Sequence, residues 1–210
     1  SPAKFQHCRS QTAVVQDVSA YRNNVMNFAG GGVPEQFRAS QVSADYFKLF
    51  GVPVIRGRAF TAAEDTPNAP KVALVSERLW ERRFQRASTM LGRSISLSGE
   101  PYTVIGIVGS SSDVSEFGPN PDVYVPFQLE QNTNDQGHYF QVAGRLKGGV
   151  SVDQANARLK VSAEEYKQKY PRVLNKDQYF GIRALSEEMV AGVRTTLYVL
   201  LGAVGLVLLI

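Results

Sequence analysis

Between Leu197 and Ile210 the chain reads LYVLLGAVGLVLLI, with no charged side chain and only the hydroxyl of Tyr198 to meet water. A helix that packs on a water-soluble core carries an apolar stripe, but here Leu, Val and Ile occupy every face. The run spans roughly 21 Å as a helix at about 1.5 Å per residue, against a hydrocarbon core of about 30 Å. Gly202, Ala203 and Gly205 add the small side chains that let membrane helices approach closely. The run therefore reads as the opening of a membrane-spanning helix, with Leu197, Tyr198, Leu200, Leu201, Val204, Leu206, Leu208 and Ile210 membrane-embedded. A buried C-terminal core helix is the alternative that so short a stretch permits. Arg194, just ahead of the run, suits a headgroup interface but does not fix orientation, because long domains translocate regardless of charge.

The rest of the chain has the composition of a folded domain. Hydrophobic residues make up 43% and charged residues 20%, values that exclude disorder. Net charge is +4, with Lys and Arg scattered, so no nucleic-acid footprint is present. Cys8 is the single cysteine and adjoins His7, one of only 2 histidines, so neither an internal disulfide nor a Cys/His zinc site can be assembled. The opening SPAKFQHCRS has no initiator Met, basic n-region or apolar h-region, and is not a signal peptide. A trimmed chain, or a piece of a longer one, is expected.

Local patterns alternate between strand and helix. FQHCRSQTAVVQDVSAYRNN predicts a helix running into a strand, and the glycine-rich turn Gly30–Gly32 with Pro34 predicts a hairpin. A phosphate loop would need GxGxxG or Gly-Lys-Ser/Thr, and neither occurs. SADYFKLFG predicts a short helix with Ser43 as N-cap, Tyr46, Phe47 and Phe50 as its apolar side and Gly51 as its stop. VPVIRGRAF reads as extended, TAAEDTPNAP as a polar loop. Val72–Val75 predicts a buried strand leading into a helix capped by Ser76 that carries Leu79, Trp80 and Phe84. Arg78, Arg82 and Arg86 fall on one face of that helix, as a solvated row or a contact for lipid or a partner.

RSISLSGEPYTVIGIVG predicts a second hairpin turning at Ser98–Pro101, SSSDVSEFGPNPDV a long loop, and VYVPF a short strand. HYFQVAGRL places Phe140, Val142 and Leu146 on one half-buried face. The helix after it has a capping box at Ser151 and Gln154, apolar positions at Val152, Ala155, Leu159, Tyr166 and Tyr170, and Pro171 at its end. YFGIRAL predicts one more strand. The mixture is α+β with largely antiparallel sheets and no regular βαβ repeat. No catalytic set emerges: GSSSD is not a nucleophile elbow, His138 stands alone, and acidic residues lack paired spacing. The loops TAAEDTPNAP and SSSDVSEFGPNPD are the candidate contact segments, since exposed loops on a rigid scaffold carry recognition.

Three segments in order, QVSADYFKLFGVPVIRGRAFTAAED, VALVSERLWERRF and LGRSISLSGEPYTVIGIVG, resemble the MacB-like periplasmic core domain of MacB/FtsX-type ABC transporter permeases. The opening SPAKFQHCRSQTAVVQDVSAY resembles an acidobacterial-type branch, in which the position of Cys8 is more often aromatic. The resemblance implies a porter-like α/β sandwich subdomain from residues 1–48 and 138–190. It implies an inserted, mostly antiparallel Sabre-like lobe at 49–137, and a linker with a truncated transmembrane helix at 191–210. It places the domain on the periplasmic side of the bacterial cytoplasmic (inner) membrane, between a first helix upstream of Ser1 and a second beginning at Leu197. Implied partners are an ABC ATPase subunit or domain, a second permease subunit in a dimer, the lipid bilayer through the C-terminal helix, and a periplasmic adaptor or outer-membrane channel as further candidates. No Walker A sequence occurs, so no cofactor and no enzymatic role are expected of this chain. The function implied is export driven by mechanical coupling. A membrane-tethered ligand-binding or sensory module is the alternative, and a tethered hydrolase a remoter one.

Overall fold

In the computed structural model, residues 1–30, 34–109, 120–130 and 134–187 are described. Helix α1 (Pro2–Ser10) leads into a single long strand, β1 (Val15–Ala29), and the sheet is organised by what each part of β1 pairs with. Its first half runs antiparallel to β8 (Gln141–Leu146), its second half antiparallel to β2 (Glu35–Val42). Tyr21 pairs with both Gln141 and Val42, so β8 and β2 lie on opposite edges of β1. At the far end Phe28 pairs with Glu35 of β2 and also with Leu97 of β5 (Ser94–Leu97).

From β2 the ladder continues in parallel to β7 (Val123–Pro126), antiparallel to β4 (Val72–Ser76), and in parallel to β6 (Glu100–Val108). Strand β6 pairs antiparallel with β5, which returns to β1. The strands β1, β2, β7, β4, β6 and β5 thus form a closed ring, with β8 extending from β1 and β3 (Val54–Gly57) pairing with β6. Closure removes open edges from the ringed strands. The sheet is mixed, with parallel pairs only at β2–β7 and β4–β6 among the described residues.

Strand β4 shows why a continuous apolar run is needed. Ala73 and Val75 point into one cluster with Phe28, Phe37, Leu79, Trp80, Phe84, Leu97 and Val125. Val72 and Leu74 point into another with Tyr46, Phe47, Phe60 and Tyr124. Alternate side chains of a strand face opposite ways, so VALV is buried throughout because it separates two cores. In the first, the Phe28 and Phe37 rings stack with centroids 4.7 Å apart and Phe84 meets Phe28 edge-on at 6.0 Å.

The predicted helices form, with two corrections. Helix α3 (Glu77–Phe84) is capped by the Ser76 hydroxyl, which accepts from Leu79 N–H at 3.2 Å. Gln85 and Arg86 take φ of 50° and 54°, so Arg86 lies beyond the helix and outside its row. Helix α2 (Tyr46–Phe50) stops at Gly51, φ 64°, but Ser43 is not its cap. The Ser43 hydroxyl instead accepts from Ala20 N–H at 3.1 Å and meets the Ser19 hydroxyl at 3.0 Å, extending the β1–β2 ladder past its last pair. The second hairpin turns on Ser98-Gly99 alone, both with positive φ, because Glu100 already pairs with Leu97.

The predicted half-buried face of β8 is partly wrong: Val142 is 46% exposed, while Ala143 packs against the second cluster. Contact density separates Ser1–Gly148, with every described strand, from Gly149–Ile210. In the latter, α4 (Val152–Lys169) begins with the predicted capping box, Ser151 and Gln154 bonding reciprocally at 3.0 and 3.2 Å. YFGIRAL forms no strand among the described residues. Ile182 bonds instead to the Asn156 side chain, donating its N–H at 2.7 Å and accepting at its carbonyl at 3.1 Å, so one amide replaces a strand neighbour. Among the described residues no helix is long and apolar enough to cross a membrane. The expectations for residues 191–210, including the eight side chains from Leu197 to Ile210, lie outside the described residues.

Truncating the stacked pair is expected to open the ring's core. Phe37→Ala should cost about 3–5 kcal/mol in chemical denaturation, whereas Val142→Ala should stay within about 0.5 kcal/mol. A Phe37→Ala loss as small as that of Val142→Ala would show that the stack does not hold the ring.

Candidate functional site

Helix α1 is held by a clasp made of residues 134–140. Phe5 enters a cluster with Val18, Ala20 and Phe127, and Phe140 closes over it, edge-on to Phe5 at 6.1 Å and to Phe127 at 5.1 Å. Burying a phenylalanine of this kind contributes about 1.5–3 kcal/mol. Polar bonds fix the helix direction: Ala3 N–H donates to Asp135 O at 3.4 Å, the Ser1 hydroxyl to Gln136 Oε1 at 3.2 Å, and Lys4 Nζ to His138 Nε2 at 3.0 Å. The neighbouring Lys4 charge holds the His138 imidazole below its ordinary pKa. Asp135 braces the clasp from within, accepting from Gly137 N–H and the Tyr139 hydroxyl, each at 2.7 Å. The Gly137 bond, then that of Tyr139, lowers its pKa. The Arg22 guanidinium of β1 lies over the Tyr139 and Phe127 rings at 5.4 and 5.7 Å.

The same helix faces the polar loop at residues 61–70. Arg9 reaches Asp45 at 3.5 Å, and a void of about 50 Å³ lies between Phe5, Gln6 and Arg9 on α1 and Ala62, Asp65 and Leu129. Asp65 ties the loop down, accepting from Ala44 N–H at 3.0 Å and from Gln128 N–H at 2.9 Å. Burial pushes its pKa up, while these backbone bonds and Arg9 oppose the rise. Gln128 donates from its amide to the carbonyls of Glu64 and Ala69 at 3.1 and 3.2 Å. Glu64 takes both guanidinium nitrogens of Arg58 at 2.7 Å and the N–H of Thr61 at 2.9 Å. The loop read from sequence as a contact segment is therefore a rigid one. The other, SSSDVSEFGPNPD, lies largely outside the described residues.

The arginine row resolves into a network within the domain. Asp122, 4% exposed, accepts from Arg78 Nη2 at 2.8 Å and from the backbone N–H of Arg38 at 3.0 Å, with Arg82 3.8 Å away. Arg82 also pairs with Glu35 at 3.0 Å, Arg86 with Glu77 and Glu81, and Arg83 donates to Gly30 O at 2.9 Å. These bonds hold α3 to β2 and to the tip of the first hairpin. Sequence reasoning missed Asp65 and Asp122, because an acidic residue in a polar loop has no periodicity to mark it as a fastening point. It also missed the clasp, whose members are separated from α1 by more than a hundred positions.

Reactive groups are engaged otherwise. Burial pushes the Cys8 thiol up to about 11, which keeps it protonated and unreactive. Among the described residues no three His, Cys, Asp or Glu side chains gather as a metal site.

The mixed α+β fold of this chain is shared with solved structures of other proteins. The periplasmic region of MacB from Actinobacillus actinomycetemcomitans superposes with TM-score 0.58 at 16% identity, over 84% of this chain and 76% of that one. The extracellular domain of the noncanonic ABC-type transporter YknZ from Gram-positive bacteria gives 0.58 at 19%, over 87% and 91%. At such identities the likeness is one of fold. The sequence carries it further: residues 2–161 match the model of the MacB-like periplasmic core domain, and the chain belongs to that family. The macrolide export ATP-binding/permease protein MacB 1 of Yersinia pestis bv. Antiqua (strain Antiqua) is 26% identical over 148 residues, 69% of this chain and 22% of that protein. The macrolide export ATP-binding/permease protein MacB of Salmonella paratyphi A is 23% identical over 130 residues, 61% and 20%. This chain spans about a fifth of the length of these relatives.

The Arg58 bonds hold Glu64 down from 4.5 to about 2, so its contribution to stability is complete above the unfolded value and is lost as pH falls through that window. Thermal melts should show wild-type stability dropping between these two pH values, with Glu64→Gln flatter across the same interval. Parallel curves would remove the Arg58–Glu64 pair from the account of loop rigidity.

Proposed function

We propose that this chain is the periplasmic domain of an export-type ABC transporter permease, and that it couples ATP-driven motion of membrane helices to efflux or to a periplasmic partner. The observation that carries this reading is the clasp on α1. If the first membrane helix precedes Ser1, α1 is where its motion enters the domain, and Phe5 with its polar neighbours turns that motion into movement of β1. A force-bearing joint needs apolar packing for stiffness and directional bonds for register, and both are present on one helix.

The family context supports an ABC ATPase, fused or separate, and a second permease subunit as partners. Residues 191–210 would form the linker and second membrane helix. Macrolides are one cargo class, by the names of the relatives; peptides, lipids and lipoproteins are others. We keep the division into a porter-like part, 1–48 and 138–190, and an inserted lobe, 49–137, with β1 and β2 of the former completing a ring with β4–β7 of the latter.

The test is coupling in the full-length permease with its ATPase, reconstituted in membranes. Loosening the clasp by Phe5→Ala, or more gently by Asp135→Asn, should reduce efflux about tenfold while ATP hydrolysis stays within about twofold, the loss expected when a coupling free energy is removed. Efflux unchanged in both variants would sink the mechanical reading; equal loss of efflux and hydrolysis in the gentler variant would also count against it.

A further inference from the structure

The C-terminal unit holds a basic cavity that the coupling role does not use. Its volume is about 220 Å³, and Lys160, Glu164 and Lys167 of α4 line it together with Lys176, Asp177 and Tyr179. The three helix residues stand at i, i+4 and i+7, one face of α4. The opposite wall is a stiff turn: Asn175 N–H donates to Gln178 Oε1 at 3.0 Å and Asn175 O accepts from Gln178 N–H at 3.0 Å.

The charges are not balanced inside this cavity. Lys167 is held in place, donating to Glu164 Oε1 at 2.8 Å and to the Lys176 carbonyl at 2.7 Å. That pair cancels. Lys160 lies over the Tyr179 ring at 5.3 Å, and neither it nor Lys176 has a carboxylate within ion-pair distance among the described residues. Asp177 is the single opposing charge left, so three lysines face two carboxylates. Lys160 and Lys176 line one concavity against the single carboxylate of Asp177, and the surplus positive charge attracts an oxyanion, since charge-assisted bonds are roughly twice as strong as neutral ones. Lysine offers a compact point charge rather than a planar fork, which suits a tetrahedral phosphate as well as any acid.

We propose that this cavity binds a phosphate group, with Lys160 and Lys176 as its ligands and Lys167 as the residue that positions Lys176. The phosphate is either free or part of a lipid headgroup. This proposal stands independently of the coupling function.

The experiment is an NMR titration of the full 210-residue chain in neutral detergent micelles, reading the amide signals of residues 175–179. Inorganic phosphate is the first probe and a short-chain phosphatidylglycerol the second. Saturable shifts at about 0.1–1 mM phosphate are expected, weakened about tenfold in Lys160→Ala and in Lys176→Ala. Removing the opposing charge by Asp177→Asn should tighten binding about two- to fivefold, the range of a partly screened pair. Lys169→Ala, outside the lining, should change nothing. Saturation by the lipid alone, with the same variant pattern, assigns the site to a headgroup. No saturation by either probe, or saturation indifferent to both lysine variants while their spectra remain folded, overturns the proposal.

Discussion

The pairing of Phe28 on both edges is the constraint on which the strand-bearing unit depends. One residue near the end of β1 bonds to Glu35 on one side and Leu97 on the other, and this doubles the sheet back on itself. Without the β1–β5 pairs, β5 and the far end of β1 would each present an open edge. With them, β1 becomes a rigid bar whose far half belongs to the ring and whose near half, beyond Tyr21, carries β8 and the packing of α1.

Around this bar, the buried Asp122 and the half-buried Asp65 do the local fastening. Asp122 joins β2, β7 and α3 through two backbone and side-chain donors, and Asp65 joins the start of α2 to the segment after β7. Asp122 lies at the head of the β2–β7 ladder and ties it to α3, whereas Asp65 sits where chain segments meet without a shared ladder, so a single carboxylate substitutes for strand hydrogen bonds. Asn156 does the same for Ile182 in the C-terminal unit. Leaving such groups unpaired would cost about 1–3 kcal/mol each, which is why loops in these places can be both irregular and stiff.

Much of the local structure was legible in the residues. Turn glycines, the Ser76 cap, the Ser151–Gln154 box and the apolar run of β4 act over a few positions, and local chemistry decides them. Errors fell where a distant partner overrode the pattern. Ser43 was taken from helix capping by Ala20 and the expected strand at YFGIRAL by Asn156, and on β8 it is Ala143 rather than Val142 that packs inward. The arginine row looked like a solvated face or a docking strip because its acids, Asp122 and Glu35, come from other elements. Family membership was readable because an ordered set of weak motifs is specific even where each alone is not.

The sequence by itself determined the α+β class, the helices, the Ser76 and Ser151 caps, the two hairpins and the family, since each rests on short-range geometry or on motif order. Only the tertiary structure decided that β1 closes a ring, that α1 is clasped by residues 134–140, and that Asp65 and Asp122 fasten separate segments. Those features depend on which residues far apart in the chain compete for the same hydrogen-bonding groups. That competition is resolved by burial, which no local pattern encodes.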